Sequence, residues 1–367
     1  MNKRLKICVI GLRGIPNIMG GIETHVDQIY SKMTADISSA VVLARSPYVK
    51  RREVVYGNIE VIPIFTIKSK FFETFIHTFI CILYARIFIK PDVLHLHAIG
   101  PSLFAPFAKL LGLKVLVTHH GADYNRAKWS NLAKKVLRLG EYCAIRYADK
   151  IIVVGRSLTE QLKSQYPKYA EKLSFIPNGC PPVSSSNVAN QFPNDIQVKP
   201  SKYILYVGRL VPEKGVHDLI EAYNNSKLNE ESLLIVGDAD FQDDYYKDLK
   251  KMKSEKVIFA GKRTGDELKA IYKNASLFVL PSYHEGLPIV ALEALSFNIP
   301  VLLSDIGPNL DVDLPSDNYF KTGDTQSLAC KLIDRPKKIN GHSLILEKFD
   351  WQKIANATFN LLEDCAK

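Results

Sequence analysis

One alternation runs through the chain twice: a short apolar run ending in glycine, histidine or a polar turn, then a stretch with helical periodicity. In the first half the runs are Lys6–Gly11, Ala40–Ala44, Ile59–Pro63, Val93–His97, Lys114–His119 and Ile151–Val154. In the second they are Tyr203–Val207, Ser232–Val236, Val257–Ala260, Leu277–Leu280 and Val301–Leu303. Consecutive apolar positions in so short a run fit a parallel strand covered on both faces. A parallel strand needs a crossover before the next, so the segments between are read as helices. The expected fold class is α/β: two Rossmann-like, doubly wound domains facing across a cleft. The Pro-, Ser- and Asn-rich residues 181–200 have no periodicity and divide a first domain, 1–180, from a second, 201–345. An amphipathic helix, Trp351–Glu363, lies within the remaining segment, 346–367, and is placed to cross back onto the first domain.

Charge separates the halves. Residues 1–180 carry 26 Lys and Arg against 12 Asp and Glu, whereas the remainder carries 22 against 26. A basic first half predicts a directional surface for an anionic partner, nucleic acid or membrane at this level. The six cysteines have no metal-type spacing and are expected reduced, in the cytoplasm. The opening MNKRLKICVIG holds too short an apolar run for a secretion signal.

Two helices bear on partners. The segment KSKFFETFIHTFICILYARIFIK is apolar nearly all round but falls short of the ~20 residues a membrane span needs. It reads as a buried or half-buried helix, or as one whose Phe71, Phe72 and Phe75, beside Lys68 and Lys70, dip into a membrane interface. Trp129–Asp149 is expected to turn Leu132, Val136, Leu139, Cys143 and Tyr147 inward. Arg126, Lys128, Lys134, Lys135 and Arg138 then lie on or near its outer side.

The candidate site residues cluster where strands end. In LPSYHEGLPIVALEALSFNIP, Leu280–Pro300, a strand end is followed by Glu285, then a helix start at Gly286, Leu287, Pro288 and Ile289, then Glu293. Free amides and the positive dipole end of a helix suit a negatively charged ligand. Taken alone, the two acids also fit a buried strand followed by a helix with solvated glutamates. Gly20 and Gly21 stand between the first strand and a helix whose Ile22, Val26, Ile29, Tyr30 and Met33 share a face. Strand, glycine loop and helix form a phosphate cradle, though not the GxGxxG dinucleotide fingerprint. Four histidines, His95, His97, His119 and His120, end two further strands. A zinc reading is weak, because the first pair is taken to alternate faces of its strand and no HExxH-type spacing supports it.

Gly20-Gly21, His120-Gly121, Gly208-Arg209 with Lys214-Gly215, and Glu285 with Glu293 together resemble the retaining GT-B glycosyltransferases of family four. The resemblance covers nearly the whole chain, and GLRGIPNIMGGIETHV looks like the branch that builds bacterial surface polysaccharides. It implies a nucleoside diphosphate sugar donor held mainly by the second domain. Arg209, just after Gly208, and Lys214 would neutralise the departing diphosphate, and Glu293 would hold the ribose hydroxyls. Glu285 and His120 would stand near the donor sugar, with His119 or Asp123 able to share the histidine's role. Gly286, Leu287, Pro288 and Ile289 would grip sugar or phosphate through amides, Gly20 and Gly21 would close over the phosphates, and Lys262 and Arg263 would meet the base. No covalent nucleophile identifies itself, which implies front-face retention; no metal cofactor is expected, because Arg209 and Lys214 do its work.

Two departures from the family pattern stand out. Relatives often carry EGFG where Pro288 here removes an amide donor, and glycine where Asn298 follows the Glu293 helix. The expected acceptor is a lipid-linked saccharide, reached by a peripheral enzyme on the anionic inner face of the membrane. The rivals are a sugar-nucleotide epimerase on the same plan and a non-catalytic basic binding protein. The chain shows no aromatic-and-basic motif for nucleic acid, which is therefore not an expected partner.

Overall fold

The computed structural model describes the chain except residues 1–3, 19, 34–37, 68, 70–71, 126–128, 181–191, 229, 240–242 and 340–346. Lys68, Lys70, Phe71, Arg126 and Lys128 therefore fall outside the described residues, as does much of the expected linker. The chain divides into two compact units, one of residues up to Asn125 with Trp129–Gly179 and Trp351–Lys367, the other of Cys180–Asp350.

The first unit is built on an eight-stranded sheet. Its strands are β1 (Leu5–Ile10), β2 (Ser38–Arg45), β3 (Glu53–Val55), β4 (Ile59–Ile64), β5 (Val93–His97), β6 (Val115–His119), β7 (Lys150–Val153) and β8 (Leu173–Phe175). Their spatial order is β3-β4-β2-β1-β5-β6-β7-β8, with β3 antiparallel to β4 and every other pair parallel. Every residue of β5 and β6 is buried, as continuous apolar runs require. The order reverses between β1 and β5, and there Gly11 lies so close to the strand end that a Cβ would stand 2.3 Å from the His97 carbonyl oxygen. The helix Trp351–Ala366 packs on this unit, against the helix Gly21–Tyr30 and β5–β7. A Cβ on Gly179 would meet the Trp351 ring at 2.3 Å.

The second unit carries six parallel strands: β9 (Tyr203–Val207), β10 (Ser232–Val236), β11 (Val257–Gly261), β12 (Leu277–Leu280), β13 (Val301–Ser304) and β14 (Tyr319–Phe320). Their order, β11-β10-β9-β12-β13-β14, is the doubly wound 3-2-1-4-5-6 pattern, with its switch point between β9 and β12. β8 and β14, of three and two residues, escape the sequence reading because so few positions show no period.

The helix Asn131–Tyr147 corrects an expectation. It buries Leu137, Gly140, Glu141, Cys143, Ala144 and Ile145, and leaves Leu132, Leu139 and Tyr147 exposed. Gly140 sets this choice of face, since a Cβ there would lie 2.2 Å from the Ile99 carbonyl oxygen. Close packing at a glycine and a buried Glu141 outweigh the apolar stripe one step round the helix.

Candidate active site

In the second unit the switch point delivers charge. Gly208 and Arg209 follow β9, where the buried Tyr206 hydroxyl donates to the Arg209 carbonyl at 3.0 Å. Gly215, at φ 64°, closes the turn after Lys214, and a Cβ there would stand 2.1 Å from the Pro281 carbonyl oxygen. That approach sets Lys214 beside the loop after β12, and its Nζ lies 2.5 Å from Glu285 Oε1. Ser282 Oγ donates to the same carboxylate oxygen at 2.6 Å. Burial alone would raise the Glu285 pKa, but the Lys214 charge and these hydrogen bonds outweigh it and hold the carboxyl below its usual range. The Tyr283 amide donates to the Glu213 carbonyl at 2.9 Å and its hydroxyl to Asp218 at 2.6 Å, stitching the two loops together.

Glu293 stands on the helix Ile289–Ser296 and accepts from the Tyr272 hydroxyl at 2.9 Å. Burial raises its pKa to about 7, the Tyr272 hydrogen bond offsetting only part of this. Pro288 is the N-cap of that helix rather than part of its first turn, and its carbonyl accepts from Ala291 and Leu292. Gly286 and Leu287 precede it outside the helix, so the expected start falls at Ile289. Asn298 takes the left-handed conformation, φ 53°, that lets it replace glycine. Lys262 is exposed, whereas the Arg263 guanidinium is engaged by Asp195 at 2.5 Å and Glu267 at 3.4 Å.

In the first unit the corresponding edge delivers neutral rings. His95 and His97 are two apart on β5 and so share a face, with ring centroids 4.1 Å apart. The expectation that they alternate faces was wrong, since strand alternation has a period of two. His95 is taken up by Tyr30 at 2.6 Å and Thr118 at 2.7 Å. His97 Nδ1 lies 3.0 Å from His120 Nε2. His119 is structural: Nε2–H donates to Glu141 at 3.0 Å and Nδ1 accepts from the Gly121 amide at 3.2 Å. Those two bonds fix the turn that presents His120. Burial lowers the pKa of His120 well below the ordinary value, with the neighbouring histidines adding to it.

Gly20 has φ 157°, and a Cβ there would stand 2.0 Å from Glu23 Oε2, so a side chain would displace the Glu23 carboxylate. Gly21 meets no such constraint. Glu23 folds back from the first helical turn to accept from the Arg13 amide at 3.0 Å and guanidinium at 3.2 Å, cinching the loop. The sequence reading missed Glu23, Glu141, Tyr272 and His25. Glu23 and His25 carried a signal, since both lie within the quoted GGIETH stretch.

Residues 19–183 match the family model described as Glycosyltransferase Family 4, and residues 189–334 the one described as Glycosyl transferases group 1. The chain belongs to this glycosyltransferase family. An uncharacterised glycosyltransferase of Methanocaldococcus jannaschii is 31% identical over 250 residues, 62% of this chain and 63% of that protein. The Escherichia coli UDP-Gal:alpha-D-GlcNAc-diphosphoundecaprenol alpha-1,3-galactosyltransferase is 27% identical over 237 residues, 60% of this chain and 59% of its own length. The chain thus spans less than two thirds of either relative. The solved structure of Anabaena HepE with UDP and glucose superposes with a TM-score of 0.76 at 20% identity, covering 98% of this chain and 100% of that one. Both units therefore have the GT-B architecture of two parallel-sheet domains.

Proposed function

We propose that the protein is a retaining glycosyltransferase that moves a hexose or deoxyhexose from a nucleoside diphosphate sugar to a lipid-linked saccharide in surface polysaccharide biosynthesis. The observation that carries this is Lys214, held against Glu285 at the switch point of the second sheet, with Arg209 following the end of β9 there. Negative charge develops on the diphosphate as the anomeric C–O bond breaks, and cations fixed in advance stabilise it without reorganising. The acceptor oxygen attacks the anomeric carbon from the face the diphosphate leaves, and its proton passes to a departing phosphate oxygen. Arg209 and Lys214 supply the neutralisation, so the step needs no divalent cation at the diphosphate. Ionised Glu293, an acceptor-only group, accepts from the ribose diol. HepE's complex with UDP and the diphosphoundecaprenol-linked acceptor for which the E. coli relative is named support donor class and acceptor class respectively.

A site of action at the inner face of the cell membrane agrees with the first unit's surface. Phe65, Phe72, Phe79 and Phe88 are exposed, and so are Leu132, Leu139 and Tyr142 among Lys135, Arg138 and Arg146. No helix among the described residues is long and apolar enough to cross a membrane. Aromatic and basic side chains on one helix fit an interfacial contact with anionic lipid, worth about 1 kcal/mol per nearby basic residue.

The test is incubation with UDP-, GDP- and dTDP-sugars and a polyprenyl-diphosphate saccharide. Release of nucleoside diphosphate that depends on the acceptor, with the anomeric configuration kept in the product, is expected. Acceptor-independent release with sugar isomerisation would identify the epimerase instead.

A further inference from the structure

The first unit gathers three imidazoles from three elements. His25 comes from the helix Gly21–Tyr30, His97 from the end of β5, and His120 from the residue after β6. One ring nitrogen of each lies within 4.8 Å of the other two. His25 stands edge-on to His97 and His120, with centroids 5.7 and 4.7 Å away. Two nitrogens, His25 Nε2 and His97 Nε2, are buried with no hydrogen-bond partner among the described residues. A buried polar atom without a partner is costly and rare in native proteins, so two in one cluster call for an occupant.

The geometry points to a binding site for one borderline divalent transition-metal ion, of which Zn²⁺ is the type, held by His25, His97 and His120. Asn178 Oδ1 lies 2.9 Å from His25 Nδ1. An amide oxygen only accepts, so Nδ1 carries the proton and Nε2, the atom without a partner, keeps the lone pair. Ligating histidines are oriented by this kind of outer hydrogen bond. Zinc–nitrogen bonds of about 2.0–2.1 Å set tetrahedral ligands roughly 3.4 Å apart, so small ring shifts close the cluster on an ion and leave a fourth position open. Three nitrogen donors favour zinc, cobalt, nickel or copper over magnesium or calcium. A sugar hydroxyl fits less well, because His25 and His97 are wholly buried and a pyranose cannot reach them. The site belongs to the first unit, the diphosphate cations to the second, and it does not rest on the transfer reading.

The test uses untagged full-length protein stripped with a chelator and titrated with Co²⁺, then Zn²⁺. One equivalent of Co²⁺ with the d–d absorption of a tetrahedral or five-coordinate nitrogen site is expected, displaced by Zn²⁺ one to one. Asn178→Ala leaves all three imidazoles and should weaken zinc about 10–100-fold. His25→Ala, its fold checked by circular dichroism, should weaken it by at least about 100-fold, the upper end of that outer-bond effect. No stoichiometric cobalt spectrum, Mg²⁺ binding as tight as Zn²⁺, or zinc affinity unchanged in the two variants would each overturn the assignment.

Discussion

At its switch point the first sheet presents His97 and His120, rings that burial keeps neutral, whereas the second presents Arg209, Lys214 and Glu285, groups that carry charge. The sheets share a winding pattern, so architecture alone does not decide this difference. Glycines do the positioning in both: Gly11 brings β1 against the His97 carbonyl, and Gly215 brings Lys214 against the β12 loop. One backbone solution thus serves two chemistries, a preformed charged pair suited to a diphosphate and an uncharged polar pocket in which lone pairs stay available. If the comparison is sound, perturbing the second unit changes charge stabilisation, and perturbing the first changes neutral contacts and strain.

The largest effect should follow Lys214→Ala. Losing one fixed donor to a developing anion costs on the order of 10²–10³-fold in kcat. The same change leaves Glu285, 9% exposed, without its partner, and breaking such a buried pair costs about 3 kcal/mol. Steady-state kinetics with urea unfolding checks both, and Lys214→Ala with Glu285→Gln should recover stability but not rate. A double variant that recovered rate would mean that Glu285, rather than the diphosphate, is what Lys214 serves.

Much of this contrast was legible beforehand. Consecutive apolar positions ending in Gly11, Gly208 or Gly237 announce strands of a doubly wound sheet, and the resemblance to the family pattern is what singled out Lys214 and Glu285. The helix face at Gly140 was not legible, because its determinant is contact with Ile99, far away in sequence. The partners of the site residues were hidden for the same reason: Tyr272 reaches Glu293 from 21 residues away, and Asn178 reaches His25 from 153. Periodicity reports local structure; hydrogen-bond partners are set by topology.

Opposite pH slopes should sharpen the comparison. Burial, with the Arg45 charge second, lowers the pKa of His77 in the first unit from 6.5 to about 4. The unfolded chain takes up this proton near pH 6.5 and the folded one only near 4, so stability is full above 6.5 and is lost as pH falls toward 4, by up to about 3 kcal/mol. Glu293 has the reverse sign: its folded pKa of about 7 exceeds 4.5, so its contribution is full below 4.5 and is lost as pH rises through 7. Amide exchange should show the helix Glu73–Tyr84 weakening toward acid, with His77→Asn reducing that slope, and β12 weakening toward neutral pH, with Glu293→Gln removing that one.

Ligand binding gives a smaller, cleaner version. On the proposed reading only the ionised Glu293 accepts both ribose hydroxyls, so affinity for a nucleoside diphosphate sugar should rise about 10-fold from pH 6 to 8, tracking the ionised fraction. Calorimetry across that range should find Glu293→Gln weaker and flat. A wild-type profile already flat would mean that this carboxylate does not meet the nucleotide.

The smallest effect concerns backbone strain. Ala98 follows His97 with φ 72° and ψ 160°, a region glycine enters freely and alanine rarely, and its amide is held by the Thr118 carbonyl at 2.9 Å. Asn298, beyond the Glu293 helix, has φ 53°, which asparagine tolerates. Strain of about 1–3 kcal/mol therefore sits beside the first unit's histidines and little beside the second unit's helix. Ala98→Gly should stabilise the protein by roughly 1 kcal/mol, relief exceeding the entropy lost by glycine, while Asn298→Gly should change it by only a few tenths. Chemical denaturation separates these outcomes, and equal effects at the two positions would show that the first switch point stores no strain.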